Sequence, residues 1–375
     1  MISVLEVLQH LVVHAVTLAL WISGYRAAAG KGAVHVLQGA CLVGLGGTAT
    51  AFFAAGGDLF AALRDFAWIV FFYGPLFLIL AGRRSAWRGP VAGFVTVVLP
   101  LITVAVGFWA FQVEPKRLET SFITVASPKI TTALRIAVVA DLQTDHIGDH
   151  ERAAVRAVMA AEPDLILLTG DYLQMHPSRL PPVAADLRRL LIEEGLDAPL
   201  GVYAVRGDVD LDGWPDLFDG TAVETWTASR SKVVGGIEIT GLAPEESRFG
   251  PFSFRTSEHF HVMFGHAPDF ALRELRADLL LAGHTHGGQV QLPGFGPLLT
   301  YSEVPRDWAS GLTRLKGGRT LVVSRGIGME RAQAPRLRFF CRPEVVVVDL
   351  EPADELSATS GRRRSTARPT PPSGS

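Results

Sequence analysis

Two histidines one residue apart, His284 and His286, stand among glycines in the run Gly283-His284-Thr285-His286-Gly287-Gly288-Gln289. The run follows an apolar stretch, residues 277–282, that reads as a buried strand. Imidazole is the commonest metal-ligating side chain, and glycine lets the backbone pass close to whatever the rings bind. An exposed polar loop would also place two histidines here. Metal ligation is favoured because the ends of other apolar stretches carry ligand chemistry too. Asp141 follows 135–140, Asp171 follows 164–170, Asp208 follows 201–206 and His266 follows 259–264. A single Asp at a strand end more often caps a turn or helix. A succession of such ends points to a metal centre at the carboxyl edge of a sheet, where open α/β folds build their sites.

The elements that must carry these residues begin near Leu134. Short apolar strands alternate with amphipathic stretches, the pattern of a layered α/β domain. Helices are expected near 151–161 and 182–194, and a further strand near 233–240. No internal repeat is visible beyond this alternation.

The first third of the chain has a different composition. Apolar stretches at residues 3–25, 33–55, 66–82 and 91–113 read as four transmembrane helices, the second and fourth free of Asp, Glu, Lys and Arg. Trp21, Tyr25 and Trp109 sit near the ends of their spans, as interfacial anchors do. Pro75 predicts a kink in the third span. The first span lacks the basic start and small-residue cleavage site of a signal peptide. It holds His10 and His14, which at a separation of four share one helix face. Satisfaction by neighbouring helices is expected for both, rather than contact with a lipid headgroup or a proton.

Loop charges give an orientation. Arg26 and Lys31 in loop one join Arg83, Arg84 and Arg88 in loop three on one side. The other side has Arg64 in loop two, beside Asp58 and Asp65, and Lys116 with Arg117 after the fourth span. The bias places loops one and three in the cytoplasm and the C-terminal domain outside the plasma membrane.

The chain has 375 residues, 48% of them hydrophobic, and a formal net charge of -2. Mean hydropathy is +0.27, concentrated in the first 113 residues. The near-neutral charge gives no support for nucleic-acid binding. Cys41 and Cys341 cannot form a disulfide framework and leave the redox compartment open. The organisation expected is a transmembrane domain at 1–113, a layered α/β domain at 114–350 and a disordered tail at 351–375 rich in Pro, Ser, Thr and Arg.

Asp141-Leu142-Gln143, Thr169-Gly170-Asp171, Gly207-Asp208-Val209-Asp210, Gly265-His266 and Gly283-His284-Thr285-His286 resemble the ordered motifs of the calcineurin-like metallophosphoesterases. Gly287-Gly288-Gln289, Leu292-Pro293, Ser324-Arg325-Gly326-Ile327-Gly328 and Pro335-Arg336-Leu337 resemble the membrane-associated bacterial branch of that family. The resemblance spans roughly residues 130–350 and leaves the four spans unexplained. It implies a two-layer β-sandwich flanked by helices, with two divalent metal ions in a cleft at its edge. Asp141, Gln143 and His286 would hold one ion, and Asp208, His266 and His284 the other, with Asp171 bridging. A metal-bridging hydroxide would attack phosphorus in line with the leaving oxygen, the charge on the phosphoryl group being met mainly by the cations. Asp171 and His286 would thus serve catalysis as well as metal binding. The substrate implied is a phosphorylated molecule, and the membrane tether suggests a lipid-linked one.

Three positions depart from the family pattern, which usually has His at Gln143, Asn at Asp208 and a catalytic His at Val209. Oxygen ligands in place of nitrogen shift the expected metal from Zn or Fe toward Mn or Mg. Loss of the imidazole at Val209 removes an effect of ~10²–10⁴-fold on leaving-group protonation. His146 or Asp145 could substitute, or a substrate with a good leaving group could dispense with the acid. Arg325 and Arg336 are candidates to hold the substrate phosphate, and Gln289 to line the cleft. Two rivals remain at this level. One is a UDP-2,3-diacylglucosamine pyrophosphatase, whose cytoplasmic substrate conflicts with the orientation above. The other is a degenerate metal-binding sensor module. A channel or transporter is disfavoured, because spans two and four offer no charged pathway.

Overall fold

The computed structural model describes residues 4–250 and 257–353. The greater part of the expected tail, 354–375, lies outside the described residues. The chain divides into two compact units, Met1–Pro115 with Glu330–Phe339, and Lys116–Met329 with the chain from Phe340 onward.

In the first unit, α1 spans Val4–Ala28. It is followed by α2 (Ala33–Ala54), α3 (Leu59–Arg84) and α4 (Pro90–Lys116), all four helices long and apolar enough to cross a membrane. Leu11, Leu45, Phe53, Leu101 and Phe108 stand exposed on them, as a lipid-facing surface requires. Small residues bring the helices close: a Cβ on Gly39 would lie 2.4 Å from Phe77 Cζ. A π-turn at Ile69–Tyr73 precedes Pro75, whose missing N–H cannot serve a regular helical ladder.

The third span begins earlier than its apolar run suggests. Asp58 caps it, accepting from Ala61 N at 3.1 Å. Arg64 and Asp65 therefore lie inside the helix and not in loop two, which keeps no Lys or Arg at 55–58. Asp65 is buried there because His10 reaches it from α1, while His14 contacts Tyr73 of α3. The neighbouring helix thus meets the Nδ1 atom of each histidine, while their Nε2 atoms face each other. The segment Glu330–Phe339 joins this unit rather than the sheets: Arg338 N donates to Ala110 O at 3.0 Å, and Arg64 donates to Gln333 Oε1.

The second unit is built on two mixed sheets of six strands. The first holds β1 (Glu119–Ser127), β2 (Leu134–Val139), β3 (Leu165–Leu168), β4 (Val202–Val205) and β5 (Val223–Trp226). The second holds β6 (Arg230–Val234), β7 (Ile237–Gly241), β8 (Phe260–Phe264) and β9 (Leu279–Ala282). A two-stranded ribbon follows, β10 (Gln291–Leu292) with β11 (Gly296–Pro297). β12 (Gly311–Arg314) and β13 (Thr320–Val323) complete the second sheet. β14 (Glu344–Pro352) returns to the first, between β1 and β2. The stretch read as one strand at 233–240 is a hairpin of β6 and β7, turned at Gly235 and Gly236, both at positive φ.

The two sheets face each other over a core of Ile136, Val138, Leu165, Leu167, Ile239, Val262, Leu279 and Leu281. On the other side of the first sheet, α5 (Asp149–Ala160) and α6 (Leu180–Glu193) pack through Ala154, Val158, Leu187 and Leu190. The outer face of the second sheet is covered by short turns, including Pro268–Leu272. β2, β3 and β4 run parallel, so their carboxyl ends emerge together at one edge. β7, β8 and β9 do the same in the second sheet. The expected α/β sandwich is therefore present, and the ligand-bearing loops leave it on the side predicted.

Candidate metal centre

Five of the candidate ligands sit just past their strands in a backbone conformation that side chains rarely adopt. Asp141, Gln143, Asp171, His284 and His286 have φ of 48°, 30°, 57°, 69° and 49°. Left-handed non-glycine residues cost of order 1–3 kcal/mol each and cluster where function demands them. Here the loops are locked by one another. Asp141 N donates to Gly170 O at 3.2 Å and Gln143 N to Asp171 O at 2.8 Å. The Asp141 carboxylate accepts from His284 N at 2.9 and 3.0 Å. The glycines are required by this crowding: a Cβ on Gly207 would lie 2.2 Å from Asp171 Oδ1.

His266 is fully buried at the centre. Its Nδ1 donates to Thr169 O at 3.0 Å, which turns Nε2 toward Asp171 Oδ2 at 3.2 Å and His284 Nδ1 at 3.2 Å. His284 Nδ1 also lies 3.2 Å from Asp208 Oδ2, and its Nε2 donates to Tyr301 O at 2.9 Å. Asp171 Oδ1 accepts from Val209 N at 2.9 Å. Two groups of ligand atoms result, Asp208–His266–His284 and Asp141–Asp171–His266, each with all its atoms within 4.8 Å of one another. His286 is buried beside them in sequence, its carbonyl accepting from Cys341 Sγ at 3.2 Å. Gln143 is buried as well and donates from Nε2 to Gln174 Oε1 at 3.0 Å.

Carboxylates and imidazoles converging in a cleft that is buried at His266 and open at Asp208 are the donor set for divalent cations, so the residues fit two metal ions. Their electrostatics agree. Burial opposes a charged His266 ring, yet Asp171, Asp141 and Asp208 push it up to about 10. Burial likewise raises the Asp171 carboxyl, but His266 overcomes it and holds the group below its ordinary value. Burial and the neighbouring His266 charge depress His284. The cleft thus traps a proton on His266 when no cation is bound, and ligation must expel it. Metal binding is expected to release at least one proton per chain. Apparent affinity should rise by about one decade per pH unit as the pH climbs toward about 10, where the folded group titrates, and level off above it. Titration calorimetry in buffers of different ionisation enthalpy measures the release, and an unchanged heat across buffers would contradict it.

Two residues contribute that the motifs alone did not assign. Asp210, 2% exposed, accepts from Asp171 N, Gly207 N and Tyr172 N, each at 2.8 Å. Burial and the Asp171 charge raise it to about 6 against those three donors. It ties the second and third ligand loops together, and the signal available was its place two residues after Asp208. Asp210→Ala would strand three buried N–H groups at about 1–3 kcal/mol each. A large fall in the thermal midpoint of the full chain is therefore expected, and an unchanged midpoint would exclude the clamp. Arg248 donates to Asp208 Oδ2 at 2.6 Å and to Tyr301 O at 3.1 Å, which brings a cation to the cleft from the short helix Pro244–Arg248. No motif marked it.

Other expected residues lie elsewhere. Arg325 is committed to Glu344 Oε1 at 2.9 Å and Glu119 Oε2 at 3.2 Å, so it braces β1 against β14 and does not reach out for phosphate. Arg336 falls in the segment that belongs to the helical unit. His146 is exposed, its Nδ1 3.1 Å from Asp145 Oδ1. Gln289 follows the histidine turn at φ 54°.

The fold and the cleft define a metal-dependent phosphoester hydrolase. Residues 134–288 match the model of the calcineurin-like phosphoesterase family. It is 29% identical over 304 residues to the uncharacterized metallophosphoesterase YkuE of Bacillus subtilis (strain 168), covering 72% of this chain and 97% of that protein. It is 24% identical over 258 residues to an uncharacterized metallophosphoesterase of Aquifex aeolicus (strain VF5), with 62% and 94% covered. The phosphodiesterase YaeI of Escherichia coli (strain K12) is 27% identical over 210 residues, with 52% and 74% covered.

Proposed function

We propose that this chain is a membrane-anchored dimetal phosphohydrolase acting on a phosphodiester or pyrophosphate whose leaving group is a weak base. Asp141, Gln143 and His286 would hold one cation and Asp208, His266 and His284 the other, with Asp171 available to both. The observation that carries this reading is the convergence of Asp141, Asp171, Asp208, His266 and His284 in two ligand groups that meet at the buried His266, with Asp208 at the exposed rim. The cations supply Lewis-acid activation of the phosphoryl group and of water. Mn or Mg suits the oxygen-rich set better than Zn or Fe.

The chain's own groups do the rest. Asp171 is oriented by the Val209 N–H, and His266 by the Thr169 carbonyl. Arg248 lies within reach of a phosphoryl oxygen at the Asp208 side. No imidazole stands at Val209 to protonate the leaving oxygen, and His146 is held by Asp145 on an exposed loop. His146 is therefore the candidate acid only for a substrate long enough to reach that loop. The name phosphodiesterase, borne by the Escherichia coli relative, supports a diester. Four apolar helices and a loop two without Lys or Arg support a plasma-membrane protein with an extracytoplasmic cleft and a lipid-linked substrate.

The leaving group tests this reading. Aryl phosphodiesters of decreasing leaving-group acidity are expected to show kcat falling steeply, because nothing at Val209 donates a proton. A flat dependence would place an acid in the cleft and overturn it. Arg248→Ala is expected to raise KM by roughly ten-fold with a smaller change in kcat, the loss of one charge-assisted contact. An unchanged KM would remove Arg248 from the site.

A further inference from the structure

We propose that His10 and His14 form a second metal site, inside the helical unit and independent of the hydrolytic reading. The two residues are four apart on α1, so both rings leave one face of the helix. Their Nε2 atoms stand 2.9 Å from each other. Two nitrogens each ~2.0–2.1 Å from a shared ion lie roughly 3 Å apart, so the pair is set for chelation with little movement.

The outer ring nitrogens are held as ligating histidines require. His10 Nδ1 bonds the Asp65 carboxylate, and His14 Nδ1 lies 3.0 Å from the Tyr73 hydroxyl. A carboxylate or other acceptor on the far nitrogen fixes the tautomer and directs the lone pair of Nε2 at the metal. Ligand atoms of His10, His14 and Asp65 all lie within 4.8 Å of one another, with the carboxylate on the far nitrogen of His10 as its orienting partner. Arg64 Nε lies 3.6 Å from Asp65 Oδ1, so the carboxylate already has a cationic neighbour and does not need a charged histidine to balance it. Ionisable side chains gathered from two apolar spans are expensive and mark function.

The site lies in the N-terminal half of α1, and the His10 side chain is 30% exposed. Imidazole donors suit Zn, Cu, Ni or Co, unlike the oxygen-rich cleft of the phosphoesterase unit. The ion would clamp α1 to α3.

The test uses the full chain in detergent, with the cleft disabled by Asp141→Asn, Asp171→Asn and His284→Ala together. Loaded with Co²⁺ and desalted, it is expected to retain about one equivalent, with ligand-field absorption of a nitrogen-ligated ion. His10→Gln with His14→Gln in that background should remove the equivalent and the absorption. A disabled chain that is monodisperse and helical but holds no Co²⁺ would overturn the proposal without recourse to the histidine variants. So would retention of the equivalent after both histidines are replaced.

Discussion

Asp171→Asn is expected to lower metal-dependent phosphodiester hydrolysis by at least ~10³-fold, with the chain still folded. The carboxylate is 3% exposed, and the Val209 N–H at 2.9 Å and the His266 ring at 3.2 Å fix its two oxygens. An amide keeps the shape and one acceptor oxygen, but it removes the negative charge that faces the His266 ring common to both ligand groups. It also removes the main favourable partner of the His266 imidazolium, so the His266 ring should titrate lower in the variant. The measurement is kcat/KM with Mn or Mg beside the wild type, with bound metal counted. A variant with near wild-type turnover would remove Asp171 from the centre.

The second large effect is steric. Gly207→Ala is expected to cost ~10²-fold or more in turnover, because its Cβ would fall 2.2 Å from Asp171 Oδ1 and 2.3 Å from Asp171 N. The neighbour is Asp171, the bridging ligand of the proposed centre, and it cannot retreat, since Asp210 ties its N–H at 2.8 Å. Displacement also costs about 1–3 kcal/mol of stability through overpacking. Gly148 is the control: its φ is -144°, and a Cβ there meets nothing closer than 3.6 Å. Gly148→Ala should leave turnover near wild type. Equal losses at both positions would mean that activity responds to general destabilisation rather than to the ligand loop.

Much of the phosphoesterase unit was legible because chemistry and periodicity coincide there. Continuous apolar runs gave β2, β3, β4, β8 and β9, and the polar residue after each run is the one aimed at the cleft. The β6–β7 hairpin was not legible, because Gly235-Gly236 interrupts a stretch whose residues otherwise read as one strand. The insertion of β14 between β1 and β2 rests on pairing more than 200 residues apart, as in Ser121 with Val346, which no local pattern encodes. In the helices, Arg64 and Asp65 read as loop residues because charge argues against a span. His10 and Arg64 offset that cost from nearby, a contact between spans that hydropathy cannot express. Asp210 escaped assignment for a related reason: its three donors are backbone N–H groups, which carry no residue identity. Arg325 shows the converse, a basic residue beside a site motif that is committed to Glu119 and Glu344.

The most direct test is hydrolysis of bis-p-nitrophenyl phosphate by the full chain, stripped of metal and then titrated with Mn, Mg or Zn. Activity is expected to be absent from the stripped protein, to return with Mn or Mg at two equivalents bound to the cleft, and to stay absent in Asp171→Asn. Metal bound at the cleft with no turnover under any cation would contradict the hydrolase reading and make the chain a metal-binding module, with Val209 the first position to restore to His.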